Sequence, residues 1–188
     1  MTKLRSVELG EAGYKPALRF ILLLSLPVIR MTAADLIASL RLEPLPREGG
    51  FFRQTYASAT RLPSGRPMGT AIYFLITPEE FSALHQLRNE EVWHFYGGDA
   101  VEHLILDPAT GEGRKIRLGS DFVAGQTPQL VVPGDTWQGA RLAEGGTWAL
   151  LGCTMSPGWD EREFTLGDRA TLTAEFPVWA ADIRTFTR

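Results

Sequence analysis

With 188 residues, 44% hydrophobic and 22% charged, the chain has the composition of one globular domain with a sizeable core. Its 19 basic and 22 acidic side chains give a net charge of -3 and form no basic face, which excludes nucleic acid as an expected partner. The single cysteine cannot form an internal disulfide, which fits a reducing compartment.

The apolar run Phe20–Ile29 is too short to span a bilayer, which takes about 20 apolar residues. Lys15 and Arg19 before it would suit a signal-peptide core, but no small-x-small cleavage site follows directly. Met31 opens a segment that makes better sense as a protein start. Residues 1–30 are therefore expected to be an extension, disordered or a start-site artefact, with a cleaved signal or a structural arm as alternatives. Residues 31–188 are expected to form one domain. The expected location is cytoplasmic, or exported if 1–30 is a signal, with no membrane partner.

Thr32-Ala33-Ala34-Asp35 has the form of a capping box, with Asp35 in place of the usual Glu. Leu36, Ile37 and Leu40 recur at helical spacing, which predicts a short amphipathic helix over 33–40. Pro44, Pro46 and Gly49-Gly50 end it. Phe51 to Ser58 and Thr70 to Thr77 read as strands around the turn Pro63-Ser64-Gly65. The stretch from His85 to Gly98 reads as strand, turn, strand, while Ser82–Asn89 as a whole is treated as a connection. Further strands are expected at 91–96, 101–106, 114–118, 129–132, 138–142 and 147–155. Many short strands with Gly/Pro punctuation indicate an all-β sandwich or barrel. Asp168 can cap a terminal helix near 169–176, which Pro177 stops.

Two stretches carry most of the functional information: His85-Gln86-Leu87-Arg88-Asn89-Glu90-Glu91-Val92-Trp93-His94-Phe95-Tyr96-Gly97-Gly98 and Val131-Val132-Pro133-Gly134-Asp135-Thr136-Trp137-Gln138. They resemble the two cupin motifs. His85 stands at the first histidine, Glu91 at the glutamate and Gly97 or Gly98 at the closing glycine. Gly125 and Pro133 match the second motif. Leu87 and Gln138 stand where the other two histidines would be, so two of the four usual metal ligands are replaced. Gly50–Tyr56, Ile72–Leu75, Glu91–Tyr96, Val132–Gln138 and Gly152–Gly158, in that order, are similar to a single-domain cupin subfamily of unknown function over about 33–187. A weaker resemblance is to the dTDP-sugar 3,5-epimerases, with Gln54 where those enzymes typically place a glutamate. The resemblance implies an all-β double-stranded β-helix, the cupin jelly-roll barrel, with short N- and C-terminal helices. It also implies a homodimer.

Strand alternation puts Glu91, Trp93 and Phe95 on one face, with Glu90, Val92, His94 and Tyr96 on the other. If Glu91 points inward as in cupins, Trp93 and Phe95 line the same cavity. A His85/Glu91 pair suits acid/base work. Tyr73 is a candidate acid in the cavity, Arg53 a partner for an anionic group, and Trp93, Trp137 and Gln138 candidate ligand contacts. His85, Glu91 and Gln138 are the candidate metal set, for a divalent ion as the one cofactor considered. Bland readings stand beside these. His85 could fix the 82–89 connection, Glu91 could pair with Arg53 or Arg88, and Trp137 could be core. His94 is placed on the outer face, His103 at the strand surface or an interface, and Cys153 as a buried structural thiol. Asp160–Glu163 is read as a solvated face. The expected function is a polar and aromatic barrel pocket for a small molecule, a sugar nucleotide or carbohydrate, with epimerase- or isomerase-like chemistry if it is an enzyme. The alternatives are a metal-dependent oxygenase or isomerase and a non-catalytic binding module.

Overall fold

The computed structural model describes residues 31–188. The expectations for residues 1–30 lie outside the described residues. Helix α1 (Ala33–Leu40) spans the predicted range, and its capping box is present in both directions: Thr32 accepts from the Asp35 N–H and Asp35 accepts from the Thr32 N–H. Arg41, in the left-handed region, ends it.

Eleven strands follow among the described residues: β1 (Glu43–Pro44), β2 (Phe51–Ala57), β3 (Thr70–Ile76), β4 (Ser82–Leu87), β5 (Glu91–Gly98), β6 (Val101–Asp107), β7 (Glu112–Leu118), β8 (Gln129–Val132), β9 (Trp137–Leu142), β10 (Ala149–Met155) and β11 (Phe164–Leu166). They form a six-stranded sheet in the order β1-β2-β3-β10-β5-β8 and a five-stranded sheet in the order β11-β4-β9-β6-β7. Every pairing within them is antiparallel. The order interleaves early and late strands, as in the expected double-stranded β-helix.

Strand β4 corrects the reading of 82–89 as a connection. Its residues Ser-Ala-Leu-His-Gln-Leu are covered on both faces, so no alternation of polar and apolar marks it. One face looks into the barrel. The other lies under the C-terminal helices.

Alternation along the strands builds two cores. Phe74, Ile76, Trp93, Ile105, Val132, Leu151 and Cys153 fill the space between the sheets. Leu84, Leu104 and Leu106, on the opposite face of the five-stranded sheet, pack against Leu172, Phe176, Ile183 and Phe186. These last come from α2 (Arg169–Glu175), capped by Asp168 as expected, and from α3 (Ala180–Thr185), each with the residue that follows it. Pro177 ends α2 but also begins a 3-10 turn (Pro177–Trp179) that leads into α3, a helix the sequence reading lacked. Each fully buried side chain of this size contributes about 1.5–3 kcal/mol. No helix among the described residues is long and apolar enough to cross a membrane.

Candidate functional site

The two sequence motifs meet at a tight backbone approach. Gly134 lies so close to the Arg88 carbonyl that an added Cβ would sit 2.3 Å from its oxygen. Asp135 N–H donates to the Leu87 carbonyl at 2.7 Å, and Gln86 Nε2 donates to the Asp135 carbonyl at 2.8 Å. This fixes β9 beside β4, with Gln138 directly opposite His85. Glu91 and Trp93 reach them from β5 in the other sheet, so the four side chains converge inside the barrel.

His85, Glu91 and Trp93, with Gln138 behind them, close one end of a cavity of about 380 Å³, within the range of small-molecule sites. Its walls are mainly apolar: Leu45, Phe52, Ile72, Phe74, Leu87, Trp93, Met155, Trp159 and Phe164. The polar lining is Arg47, Glu48, Gln54, Thr70, His85, Glu91 and Glu161, with the Cys153 thiol beside them.

At the closed end Trp93 Nε1, a donor only, is shared between Glu91 Oε2 at 3.0 Å and Gln138 Oε1 at 2.9 Å. That turns the other end of the Gln138 amide toward Glu91, and its Nε2 donates to Oε2 at 2.8 Å. Burial pushes the Glu91 carboxyl up to about 7, against the lowering effect of nearby His85. Glu48 raises it further, while Gln138 and Trp93 oppose the rise. With Oε2 occupied by two donors, the proton of the neutral acid sits on Oε1. Burial and the neighbouring Glu91 also push the Cys153 thiol well above its ordinary range, so the protonated thiol prevails and the thiolate is a small fraction.

His85 is held from behind. Nδ1 lies 2.9 Å from the Ala83 carbonyl, which only accepts, so Nδ1 carries the proton and Nε2 the lone pair in the neutral ring. Glu48 Oε1 lies 3.9 Å from the same nitrogen and accepts from Ser82 Oγ at 2.6 Å. The opposite wall is a stack in which the Arg47 guanidinium lies 4.9 Å over Phe164 and Phe164 lies 5.3 Å from His85. Glu48 and Phe164 were absent from the sequence reading. Glu48 sits in a turn far upstream, and only Gly49 and Gly50, both at positive φ, hint at how that turn is folded.

His85, Glu91, Trp93 and Gln138 are thus brought together as expected. Three other candidates are not. Arg53 and Tyr73 pair across β2 and β3 on the outer face of the six-stranded sheet, where the guanidinium lies 5.5 Å from the Tyr73 ring. Their inward neighbours Phe52, Gln54, Ile72 and Phe74 line the cavity instead. The placement of Tyr73 as an acid in the cavity, and of Arg53 beside a ligand's anionic group there, is corrected by this parity. Trp137 adjoins Gln138 on β9, so the two must face opposite ways. It packs in the core beneath the C-terminal helices and forms no wall of the pocket.

His103 is also corrected. It is fully buried, edge-on to Trp93 at 4.8 Å, and neither ring nitrogen has a hydrogen bond of good geometry. Burial holds it neutral, down at about 3, and nearby His85 acts in the same direction. His94 does lie on the outer face, bonded to Thr154 and Gln129. The solvated reading of 160–163 fails in part: Glu161 lines the cavity and Glu163 pairs with Arg66 at 2.8 Å.

The residues do not suit a divalent cation. The oxygens of Glu91 and Gln138 that face one another are engaged by Trp93 and by the Gln138 amide. Leu87 contributes no donor. Among the described residues no group of three His, Cys, Asp or Glu side chains is placed to hold a metal.

Comparison with known proteins gives the same architecture. The family model described as "Cupin superfamily (DUF985)" matches residues 34–167. A crystal structure of a structural-genomics target from Shewanella oneidensis is 34% identical, with a TM-score of 0.80 over 85% of this chain and 99% of that one. A hypothetical protein from Leishmania major is 30% identical, with a TM-score of 0.77 over 84% of this chain and 99% of that one. An uncharacterised protein of Saccharomyces cerevisiae is 24% identical over 63% of this chain and 67% of its own length.

Proposed function

This chain belongs to the cupin superfamily, in the family designated DUF985, and on that basis we propose that its barrel binds a small, largely apolar molecule and transfers a proton on it. The observation that carries this reading is the Glu91 carboxyl at the closed end of the cavity, pushed up to about 7 by burial. Near neutrality it exists in both forms, so it can give or take a proton with little driving-force penalty. His85 supplies the second group. Its Nδ1 is fixed by Ala83 and faces Glu48, an arrangement that orients the ring and leaves Nε2 as the proton acceptor.

The charge of the lining narrows the ligand. Among the described residues that line it, Arg47 is the one guanidinium, against the carboxyl groups of Glu48, Glu91 and Glu161. A diphosphate would meet more acid than base there, which argues against the sugar-nucleotide form of the expectation. The aromatic walls favour an uncharged ligand with a flat or apolar body and a hydrogen-bonding group at one end. The chemistry that fits is isomerase-like: a proton removed at one position and returned at another, with no net redox change.

The test uses uncharged aromatic and heteroaromatic compounds that raise the melting temperature of the wild type. For each, exchange of its carbon-bound hydrogens in D2O is followed by NMR. Glu91→Gln is expected to keep binding, because it preserves shape and the acceptor for Trp93, and to lose exchange by 10²-fold or more, roughly the value of one general acid/base group. Exchange at the wild-type rate in Glu91→Gln would remove Glu91 from the chemistry and leave a binding module.

A further inference from the structure

The segment between β10 and β11 forms one side of the cavity opening, which exposed Arg47 and Gln54 also border. This segment carries Trp159 and Glu161 into the lining and leads directly to Phe164. Trp159 lines the cavity while 45% exposed, so it stands at the entrance. Its backbone N–H is held by Thr70 Oγ1 at 2.9 Å, and the preceding Gly158 N–H donates to the Pro67 carbonyl at 2.9 Å.

One side chain ties this segment at three points. Arg66, from the connection between β2 and β3, donates through Nε to the Gly158 carbonyl. Its Nη1 donates to Glu163 Oε2 at 2.8 Å and its Nη2 to the Pro157 carbonyl at 3.5 Å. Asn89 Nδ2 donates to the same Glu163 oxygen at 2.6 Å, which links the tie to the first motif. The Arg66 side chain is only 9% exposed, so the pair is weakly screened, unlike a surface ion pair. A planar fork is suited to this task, because its donors leave in fixed directions and bind three acceptors at once.

We propose that Arg66 is the positioning residue of the cavity mouth: it clamps segment 157–163 so that Trp159 covers the entrance and contacts the ligand, and passage to the closed end requires this segment to move. The proposal deepens the small-molecule reading, but its test needs neither a ligand nor the Glu91 chemistry.

Cys153 supplies the reporter. It is the only thiol of the whole sequence, it is 5% exposed, and it lines the cavity beside Glu91. The full chain is treated with the small uncharged disulfide 4,4′-dithiodipyridine. The Cys153 thiolate attacks it, a mixed disulfide forms at Sγ, and one 4-thiopyridone leaves per chain and is read by its absorbance. Arg66→Ala is expected to accelerate labelling by about tenfold or more, the effect of losing charge-assisted bonds that hold the closed form. Arg66→Lys keeps the charge near Glu163 without the fork and should restore part of the difference. Trp159→Ala opens the entrance without touching the clamp and should also accelerate labelling. Lys115→Ala, which breaks the ion pair with Asp182 away from the cavity, should leave the rate unchanged.

Urea midpoints are measured for each variant. If Arg66→Ala fails to fold, Trp159→Ala carries the test, since that side chain lies outside both cores. Wild-type labelling rates in Arg66→Ala and Trp159→Ala would overturn the proposal, as would accelerations that follow loss of global stability in every variant. The Arg66 and Trp159 variants and the wild type all carry the same Glu91 beside Cys153, so their comparison does not depend on whether Glu91 transfers a proton, and the two failures are distinguishable.

Discussion

Trp93→Ala is expected to destabilise the protein by about 3–5 kcal/mol, the range for removing a fully buried large aromatic ring. Trp93 is 1% exposed and packs edge-on against both Phe74, at 5.6 Å, and His103, at 4.8 Å. The loss would be more than apolar, because its Nε1–H serves Glu91 and Gln138 together. Trp93→Phe separates the two effects. It keeps most of the packing and costs about 1–3 kcal/mol for the buried Gln138 Oε1 left without its donor, while Glu91 Oε2 keeps the Gln138 amide. It should also move the Glu91 titration further up, since a donor to the carboxylate form is lost. Urea denaturation gives the first quantity and a carboxyl titration the second. A downward move of Glu91 in Trp93→Phe would contradict the network described here.

The second large effect is on the dependence of stability on pH, where His103 and Glu91 act in opposite directions. His103 falls from an ordinary 6.5 to about 3 in the folded chain. Between those values the unfolded state binds a proton that the native state refuses, so stability is lost as pH falls from 6.5 to about 3. Glu91 rises from 4.5 to about 7. There the native state keeps a proton that the unfolded state releases, so stability is lost as pH rises from 4.5 to about 7. The His103 effect is on the order of 5 kcal/mol and the Glu91 effect roughly 3 kcal/mol. From pH 4.5 to 6.5 the two slopes cancel, and below 4.5 only the His103 loss continues. In His103→Leu the acid limb disappears, and stability should fall by roughly 3 kcal/mol between pH 4.5 and 7 as the Glu91 effect stands alone. The difference between the two profiles isolates His103 from every titration the two proteins share. Parallel profiles would show that His103 is not held neutral.

The sequence was most legible where one local rule applied at a time. The capping box at Thr32 and Asp35 marks α1 because both partners are within four residues. Glu91 and Trp93 were placed together because strand period alone puts them on one face. Gln138 came from its position after Pro133. For Trp137 the sequence leaves core and pocket wall open, and the same period, which forbids it from sharing a face with Gln138, decides for the core. Tyr73 was less legible. Its strand reads Ile-Tyr-Phe-Leu-Ile, apolar on both sides, so nothing local says whether odd or even positions face the barrel. β4 was hidden for a related reason, being covered on both faces. Glu48, Trp159 and Phe164 come from loops and an edge strand, and only tertiary structure brings them to one cavity, Glu48 and Phe164 beside His85 and Trp159 at the entrance. The burial of His103 follows from its opposing Ala140 across β6 and β9, a register that no single segment reveals.

These features make Glu91 the test of the whole account, since its position, its donors and its raised titration all express one cavity geometry. The most direct measurement is the pH titration of the Glu91 side-chain carboxyl by 13C NMR, assigned by comparison with Glu91→Gln. The geometry predicts a midpoint near 7. A midpoint near the ordinary 4.5 would mean that Glu91 is solvated, and would contradict both the closed end of the cavity and the proton transfer proposed to occur there.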